Sequence, residues 1–221
     1  MRNIAVILAG GTGSRAGEGE PKQFRTLESG KTVLETCVAA FTGLVDGICV
    51  VTHPDYRERT RQLLRDKAVS IVDGGKERWE SSWNAIQALG GEEMNVLIHD
   101  CARPFVSERI ICDVCQALET HEAVTVAVPM TDTLYQVESS KLKDERIVKN
   151  IPSRSEYMRA QTPQAFRLSL IREAYERALQ DPNGVAVTDD CGIVKRYMPE
   201  QPIFIVAGEE NNRKLTYKED F

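Results

Sequence analysis

The sequence predicts an α/β fold with a Rossmann-like, mainly parallel β-sheet and helices on both faces. Short, continuous apolar runs recur along the chain, as expected of strands that are buried on both faces. Segments with apolar residues at helical spacing separate these runs, and this alternation is typical of βαβ crossovers. Glycines follow directly after the first apolar run, at the position where open α/β sheets bind their ligands.

The predicted elements alternate regularly through the first part of the chain. Strands are predicted at residues 4–9, 48–51, 69–72, 96–99 and 124–128. Helices are predicted between them at residues 33–41, 56–66, 79–89 and 110–118, with Ser107 as a cap for the last. Two further helices, at 168–179 and 189–196, and a last strand at 203–206 complete the predicted fold.

The alternation stops between about residue 129 and about residue 165. Residues 134–137 and 146–148 flank the polar stretch Ser139-Ser140-Lys141, a pattern that predicts a β-hairpin. An isolated hairpin is only marginally stable in water, so it needs a surface to pack against. We therefore expect a single domain over residues 1–221, from which residues 131–155 protrude as a β-arm that contacts a second subunit.

The composition narrows the range of functions. Apolar residues make up 42% of the 221 residues and charged residues 28%, which excludes intrinsic disorder. The formal net charge of −5 argues against nucleic acid as a partner, and an anionic small molecule would need local basic residues. No apolar run approaches the roughly 20 residues of a membrane span, and the N-terminal run is too short for a signal peptide. We therefore expect a cytoplasmic protein without a membrane partner.

The six cysteines lie mostly within apolar runs, where a free thiol behaves as a small hydrophobic group. Cys112 and Cys115 have the spacing of a metal-binding pair, but no second pair completes a zinc site. We expect core thiols rather than a metal or redox centre.

The glycine-rich loop after the first strand is the most informative segment. Its glycines let backbone N–H groups approach an anion closely, and Arg15 and Lys22 add positive charge. A Walker A loop is excluded because Gly-Lys-Ser/Thr is missing. Gly11-x-Gly13-x-x-Ala16 nearly matches a dinucleotide fingerprint, which would also require an acidic residue after the second strand, where Thr52-His53 stands. A loop that cradles a nucleoside triphosphate is favoured over a dehydrogenase loop and over a plain glycine-rich turn.

Seven motifs follow one another along nearly the whole chain. They are Leu8-Ala9-Gly10-Gly11-Thr12-Gly13-x-Arg15 with Pro21-Lys22-Gln23-Phe24, Asp73-Gly74-Gly75-x-Glu77-Arg78-x-x-Ser81, His99-Asp100-x-Ala102-Arg103-Pro104-Phe105, Pro129-x-x-Asp132-Thr133, Gln161-Thr162-Pro163-Gln164-x-Phe166, Thr188-Asp189-Asp190 and Asn212-x-Lys214-Leu215-Thr216. Each motif is weak alone, but in this order they resemble the cytidylyltransferases that act on methylerythritol 4-phosphate or ribitol 5-phosphate. The resemblance implies a nucleotidyltransferase type of α/β fold.

The resemblance also implies which residues bind the nucleotide and act on it. The implied nucleotide-binding residues are Leu8, Ala9, Gly10, Gly11, Thr12, Gly13, Gly75, Arg78, Ser81, Asp100, Cys101 and Arg103. Arg15, Lys22 and Lys214 would neutralise charge on the phosphates during transfer. Asp100 would meet the ribose or a Mg²⁺ ion, because this hard cation prefers carboxylate oxygens.

The acceptor-binding residues implied by the resemblance are Thr133, Arg154, Thr162 and Thr188. Arg154 would also act in catalysis, because its guanidinium matches the oxygens of the acceptor phosphate. In the family the arm reaches the active site of a neighbouring subunit, so Thr133 and Arg154 would act in trans in a homodimer. Thr188 has a second interpretation as the N-cap of the helix that follows it.

The reaction implied is attack of the acceptor's phosphate on the α-phosphorus of CTP, with loss of pyrophosphate. This nucleophile is already ionised, so positioning and charge neutralisation suffice. His53, His99 and His121 therefore need no catalytic role, and His99 is expected to be packed at its strand end.

The acceptor stays open between two five-carbon polyol phosphates. Cys101-Ala102-Arg103-Pro104 looks more like the methylerythritol enzymes of isoprenoid precursor synthesis, which we favour, whereas Ile151-Pro152-x-Arg154 looks closer to the ribitol enzymes, whose CDP-ribitol serves cell-surface polymers. Lys76, Cys101 and Arg213 depart from the commonest family pattern. Alternatives from other classes are an NAD-dependent dehydrogenase and a non-catalytic nucleotide-binding protein.

The end of the chain carries one further signal. Thr216 and Glu219 have the spacing of a capping box, which predicts a helix from residue 217. We expect the natural protein to continue through this helix beyond Phe221.

Overall fold

The structure, a computed structural model, describes residues 1–11, 20–139, 146–182, 185 and 187–220. Its strands are β1 (Asn3–Ala9), β2 (Gly47–Thr52), β3 (Val69–Asp73), β4 (Asn95–Asp100), β5 (Ala123–Pro129), β6 (Gln136–Ser139), β7 (Arg146–Asn150), β8 (Met158–Arg167) and β9 (Phe204–Ala207). Its helices are α1 (Val33–Phe41), α2 (Arg57–Leu63), α3 (Arg78–Ala88), α4 (Glu108–Ala117), α5 (Leu168–Leu179) and α6 (Asp190–Tyr197). The strands and helices predicted up to residue 206 are present, with small shifts at their ends, whereas the helix predicted from residue 217 is a short 3-10 turn at Lys218–Asp220.

Seven strands form one sheet in the order β3-β2-β1-β4-β8-β5-β9. β1 lies between β2 and β4 and is parallel to both, and β8 is antiparallel to its two neighbours, β4 and β5. The predicted mainly parallel sheet is therefore confirmed. The strand order changes direction between β1 and β4, and such a switch point leaves a crevice at the carboxyl ends of the strands.

Hydrophobic cores lie on both faces of the sheet. Successive side chains of a strand point to opposite faces, so β1 contributes to each core in turn. Ala5 and Ile7 belong to the core that includes α1 and α4, whereas Ile4 and Val6 belong to the core that includes α3, α5 and α6. The prediction of helices on both faces is confirmed.

β8 was not predicted from the sequence. Its middle holds Gln161, Thr162 and Gln164, polar residues that are all buried. Pro163 lies among them, and a proline argues against a central strand because it cannot donate to the hydrogen-bond ladder. The strand nevertheless forms, since tertiary contacts supply partners for these polar groups, as the site below shows.

The predicted hairpin is present as a separate two-stranded sheet of β6 and β7. Of its predicted turn, Ser139-Ser140-Lys141, residues 140 and 141 lie outside the described residues. Tyr135, Val137, Ile147 and Ile151 are all about half exposed or more, which leaves apolar surface on the arm uncovered.

Helix ends confirm one predicted cap and correct two others. Ser107 caps α4 by accepting from the Ile110 N–H, as predicted. Thr188 is not the N-cap of α6, because Asp189 takes that position and accepts from Gly192 at 2.8 Å. The predicted capping box at Thr216 is replaced by the Asp220 carboxylate, which accepts from the backbone of Thr216 at 2.6 Å and closes a 3-10 turn at Lys218–Asp220.

All six cysteines are free thiols. Cys37, Cys49 and Cys101 are buried core thiols as predicted, but Cys112 is exposed on α4, so the core prediction is wrong there. Among the described residues, no helix has the length and apolar character needed to cross a membrane.

Candidate active site

A cleft of about 770 Å³ opens at the carboxyl ends of β1, β3 and β4, next to the switch point of the sheet. The fold therefore brings together many of the predicted site residues, although they are far apart in the sequence. Those that line the cleft are Leu8, Ala9, Gly10, Gly11, Lys22, Gly75, Arg78, Ser81, Asp100, Cys101 and Lys214. The predicted residues Thr12, Gly13 and Arg15 lie outside the described part of the chain.

The cleft supplies the local positive charge that an acidic protein needs to bind an anion. Lys22, Lys76, Arg78 and Lys214 line it together with the acidic residues Glu77, Glu80 and Asp100. The four cations outnumber the three carboxylates by one, and low-dielectric walls focus the field of such a cluster, which favours an anionic ligand.

The wall after β3 is built from closely packed backbone. A Cβ atom on Gly75 would lie 2.2 Å from Cβ of Glu80, so only glycine fits there. The Glu80 carboxylate in turn accepts from the N–H groups of Lys76 at 2.5 Å and Glu77 at 3.1 Å. Ser81 accepts from the Gly75 N–H at 3.1 Å and donates to the Glu77 carbonyl at 3.3 Å. Ser81 is predicted to contact the edge of the nucleotide base, and its two hydrogen bonds also hold this wall in shape.

Asp100, at the end of β4, is the electrostatic centre of the cleft. Arg78 Nε lies 3.1 Å from its Oδ1, and Lys214 Nζ lies 2.6 Å from its Oδ2. Burial alone would raise the pKa of the Asp100 carboxyl, but the charges of Arg78 and Lys214 outweigh burial and hold the pKa well below its usual range. The carboxylate is therefore ionised at neutral pH, flanked by two cations.

Lys22 reaches the same cleft from the 3-10 turn Lys22–Phe24. Its ammonium donates to the carbonyl oxygens of Thr216 at 2.7 Å and Leu215 at 3.3 Å. The last segment of the chain thus brings both Lys22 and Lys214 to the cleft.

A chain of hydrogen bonds lies directly behind Asp100. Its backbone N–H donates to Thr162 Oγ1 at 3.1 Å, Thr162 Oγ1 donates to His99 Nδ1 at 3.0 Å, and His99 Nε2 donates to the Arg103 carbonyl at 3.0 Å. The carbonyl can only accept, which assigns the imidazole proton to Nε2. Thr162, predicted as an acceptor-binding residue, uses its hydroxyl here to position Asp100. His99 is fully buried at its strand end, as predicted.

His99 makes the stability of the protein sensitive to acid. Burial lowers the pKa of His99 to about 4, whereas an unfolded histidine has a pKa of about 6.5. Between these values only the unfolded chain takes up the proton, so stability present above pH ~6.5 falls as the pH drops towards 4, by about 3 kcal/mol from this group. Urea unfolding between pH 7 and pH 4.5 should show this slope, and His99→Gln should reduce it. An equal slope in the variant would contradict this assignment.

Arg103, predicted to bind the nucleotide, supports the site from behind and is not among the described residues that line the cleft. Its guanidinium donates to the carbonyl oxygens of Asn212 at 2.7 Å and Ala160 at 3.2 Å. These bonds connect the Asp100 turn with β8 and with the segment that carries Lys214.

None of the four predicted acceptor contacts lines the cleft of this chain, as far as the described residues define it, and Thr162 lies behind Asp100. Thr133 and Arg154 belong to the arm segment and are exposed, and Arg154 Nη1 donates to the Thr131 carbonyl at 2.6 Å. Thr188 is exposed just before α6.

With this geometry in place, comparisons with known proteins decide the family. The sequence profile described as "IspD: 2-C-methyl-D-erythritol 4-phosphate cytidylyltransferase" matches residues 3–221. The chain belongs to this family.

Known proteins and a solved structure match nearly the whole chain. A 2-C-methyl-D-erythritol 4-phosphate cytidylyltransferase from Thermobifida fusca is 44% identical over 99% of this chain and 90% of its own length. A bifunctional ribulose 5-phosphate reductase/CDP-ribitol pyrophosphorylase from Haemophilus influenzae is 40% identical over 97% of this chain, which spans 46% of that protein. The crystal structure of the 4-diphosphocytidyl-2C-methyl-D-erythritol synthase from Anaerococcus prevotii matches with a TM-score of 0.83 and 30% identity, over 99% of this chain and 94% of that one.

Membership of the IspD family confirms the resemblance carried by the seven motifs and the nucleotidyltransferase type of fold. IspD family members are cytidylyltransferases, so the dehydrogenase alternative falls away.

Sequence reasoning missed three residues that shape the site. Asp190 and Tyr175 are buried behind Arg78, and Glu80 holds the wall after β3. Asp190 belongs to the motif Thr188-Asp189-Asp190. An acidic residue in the first turn of a helix is common, however, because it interacts favourably with the positive end of the helix dipole. Its sequence position therefore gave no signal that it pairs with Arg78.

Proposed function

We propose that the protein transfers the cytidylyl group of CTP to 2-C-methyl-D-erythritol 4-phosphate and releases pyrophosphate, a step of isoprenoid precursor synthesis. The observation that carries this proposal is the cleft at the switch point of an IspD-family chain, where Lys214 pairs with the ionised Asp100 and Lys22 lines the same cleft beside the start of the glycine-rich loop. The names of the relatives supply the substrates.

The proposed reaction is a displacement at phosphorus. An oxygen of the acceptor's phosphate attacks the α-phosphorus of CTP, and the bond between that phosphorus and the bridging oxygen to the β-phosphorus breaks. The electron pair of this bond leaves with pyrophosphate. Lys22 and Lys214 would neutralise the charge that develops on the phosphates, and fixed cations of this kind are the main catalytic factor in phosphoryl transfer. The backbone of Gly10 and Gly11 would direct N–H donors at the phosphates.

We also propose Mg²⁺ as the cofactor, held with the nucleotide at Asp100. Among the described residues, no group of three or more His, Cys, Asp or Glu side chains forms a metal cage. One ionised carboxylate in a cleft suits Mg²⁺, which commonly binds through one or two carboxylates together with substrate phosphates and several waters. When bound, the ion would supply additional positive charge at the phosphates.

Removal of free divalent cations tests this cofactor. We expect EDTA to lower the rate of pyrophosphate release by at least about 100-fold, because phosphate charge is then left uncompensated. The melting temperature should stay unchanged, since Arg78 and Lys214 already balance Asp100. Full turnover in EDTA would contradict the proposal, and added Mg²⁺ should restore a rate that EDTA has removed.

Ribitol 5-phosphate is the second candidate acceptor. The Haemophilus influenzae relative, 40% identical over nearly the whole chain, bears the name CDP-ribitol pyrophosphorylase. Both acceptors are five-carbon polyol phosphates, so the same charge arrangement serves either.

The deciding experiment measures pyrophosphate release from CTP and Mg²⁺ with each polyol phosphate in turn. We expect the higher kcat/KM with methylerythritol phosphate. A higher value with ribitol phosphate would transfer the assignment to the second candidate. No release with either acceptor would refute both and leave a non-catalytic nucleotide-binding protein.

We further propose a homodimer formed through the arm, with Thr133 and Arg154 acting in trans. The arm exposes Tyr135, Val137 and Ile147, and a two-stranded hairpin needs a partner surface. A cytoplasmic location is proposed as well, supported by six free thiols, which are typical of a reducing compartment.

A further inference from the structure

A buried carboxylate lies behind the cleft and is not among the described residues that line it. Asp190, the first residue of α6, is fully buried. Its Oδ2 accepts from Arg78 Nη1 at 2.7 Å, and its Oδ1 accepts from the Tyr175 hydroxyl at 2.7 Å. Its backbone N–H donates to Gln164 Oε1 at 3.0 Å. Both oxygens and the backbone of this residue are therefore held in place.

The charge of Asp190 has one strong partner. An unpaired carboxylate in the interior is costly, so a buried one is retained only with a counter-charge and full hydrogen bonding. Tyr175 supplies no charge, because burial and the neighbouring Asp190 raise the pKa of its hydroxyl well above the usual value. Arg78 is therefore the cation that compensates Asp190, and the N-terminus of α6 adds its partial positive charge.

Arg78 joins Asp190 to Asp100. Its Nη1 binds Asp190 and its Nε binds Asp100 Oδ1, so one guanidinium spans two carboxylates. Burial would lower the pKa of Arg78, but these two carboxylates raise it further than burial lowers it. The remaining nitrogen, Nη2, is buried and has no hydrogen-bond partner among the described residues.

The two cations on Asp100 are consequently unequal. The Arg78 side chain is 28% exposed and anchored on the fully buried Asp190. The Lys214 side chain is 41% exposed and meets Asp100 Oδ2 as a single point charge. Arg78 pairs with two carboxylates, whereas the more exposed Lys214 pairs with Asp100 alone among the described residues. Oδ1 of Asp100 thus meets the doubly anchored cation, and Oδ2 meets the singly anchored one.

We propose that Asp190 is a positioning residue, which holds Arg78 on Asp100 Oδ1 alone and so leaves Oδ2, which pairs with Lys214 here, for exchange to the nucleotide and its cation. Without the charge of Asp190, Arg78 has a single counter-charge left. Its Nε and the unpartnered Nη2 then form a fork that fits both oxygens of Asp100. Arg78 would then hold both oxygens of Asp100, and Oδ2 could no longer pass from Lys214 to the nucleotide and its cation. This inference rests on the proposed function, because it assigns Asp100 to the nucleotide and its cation.

Asp190→Asn tests the proposal, because it removes the charge and keeps the size. The first measurement is CTP binding by calorimetry, in EDTA and in Mg²⁺. For the wild type we expect Mg²⁺ to tighten binding, and for the variant we expect this gain to shrink by about tenfold. The second measurement is turnover, where we expect kcat to fall by about tenfold or more, with the KM for the acceptor within about twofold.

Tyr175→Phe is the matched control. It removes a hydrogen bond from the same buried carboxylate but leaves the charge, and it should lower the melting temperature while sparing the Mg²⁺ gain and kcat. A purely structural role for Asp190 predicts instead that both variants lose activity in proportion to their loss of stability, and that result would overturn the proposal. So would a wild-type Mg²⁺ gain in Asp190→Asn.

A second variant covers the case in which Asp190→Asn does not fold. Arg78→Lys keeps the positive charge but has no fork that could hold both oxygens of Asp100, so the Mg²⁺ gain should persist in this variant. Loss of the gain in Arg78→Lys would overturn the proposal. Failure of the proposed function is distinguishable, because it appears in the wild type itself as an absence of CTP turnover.

Discussion

Replacing Lys22 by alanine is expected to lower kcat by about 100- to 1,000-fold, because transfer at phosphorus depends on fixed positive charge at the reacting phosphates. The Lys22 ammonium is held in the cleft by the carbonyl oxygens of Leu215 and Thr216. A cation placed in advance needs no reorganisation when charge develops, which is why its loss should act on kcat more than on CTP binding. Steady-state kinetics with CTP and the acceptor measure both quantities.

Lys76→Ala is the control for this experiment. Lys76 lines the same cleft, but its backbone N–H, rather than its side chain, is the group hydrogen-bonded there, to Glu80. Its loss removes an equal charge from the cleft without removing the proposed catalytic cation, so kcat should change by less than about tenfold. Equal losses in the two variants would show that the total charge of the cleft matters and not the placement of Lys22. Full turnover in Lys22→Ala would refute the proposed mechanism.

Much of the fold could be predicted because buried strands and amphipathic helices have different sequence patterns. A strand buried on both faces is a continuous apolar run, whereas a helix repeats its apolar residues about every 3.6 residues. The run at residues 4–9 is apolar throughout, as a strand covered on both faces must be, and β1 lies in the middle of the sheet between β2 and β4. β8 could not be predicted in this way, because its buried Gln161 and Gln164 side chains find their hydrogen-bond partners in residues that are distant in the sequence. Gln161 donates to the Glu209 carbonyl at 2.8 Å, and Gln164 donates to Asp189 at 2.6 Å.

The candidate site divides in the same way. Residues at the carboxyl ends of predicted strands, such as Gly75 and Asp100, were placed correctly in one cleft because the topology of a parallel sheet brings those ends together. Partnerships of single side chains were not predictable. Thr162 binds Asp100 and His99 across the sheet, and Asp190 pairs with Arg78 at a separation of 112 residues. Such contacts depend on how the elements pack against one another, and the periodicity of the sequence carries no information about that packing.

The arm predicts that two variants which are each inactive should recover activity when they are mixed. Thr133 and Arg154 are exposed and lie outside the cleft of their own chain, as far as the described residues define it, while Lys22 lies inside it. If Arg154 acts in trans, each site combines Lys22 of one subunit with Arg154 of the other. Lys22→Ala and Arg154→Ala should then each be nearly inactive as homodimers.

Mixing the two variants under conditions that exchange subunits should restore turnover. A mixed dimer contains one site with both substitutions and one site with neither. With random exchange, half of the dimers are mixed and one of their two sites is intact, so about a quarter of the wild-type activity should return. Arg154 acting in cis predicts no recovery, because no subunit of the mixture then carries both residues. Light scattering on each variant is needed beside the kinetics, since a monomer at assay concentration would also contradict action in trans.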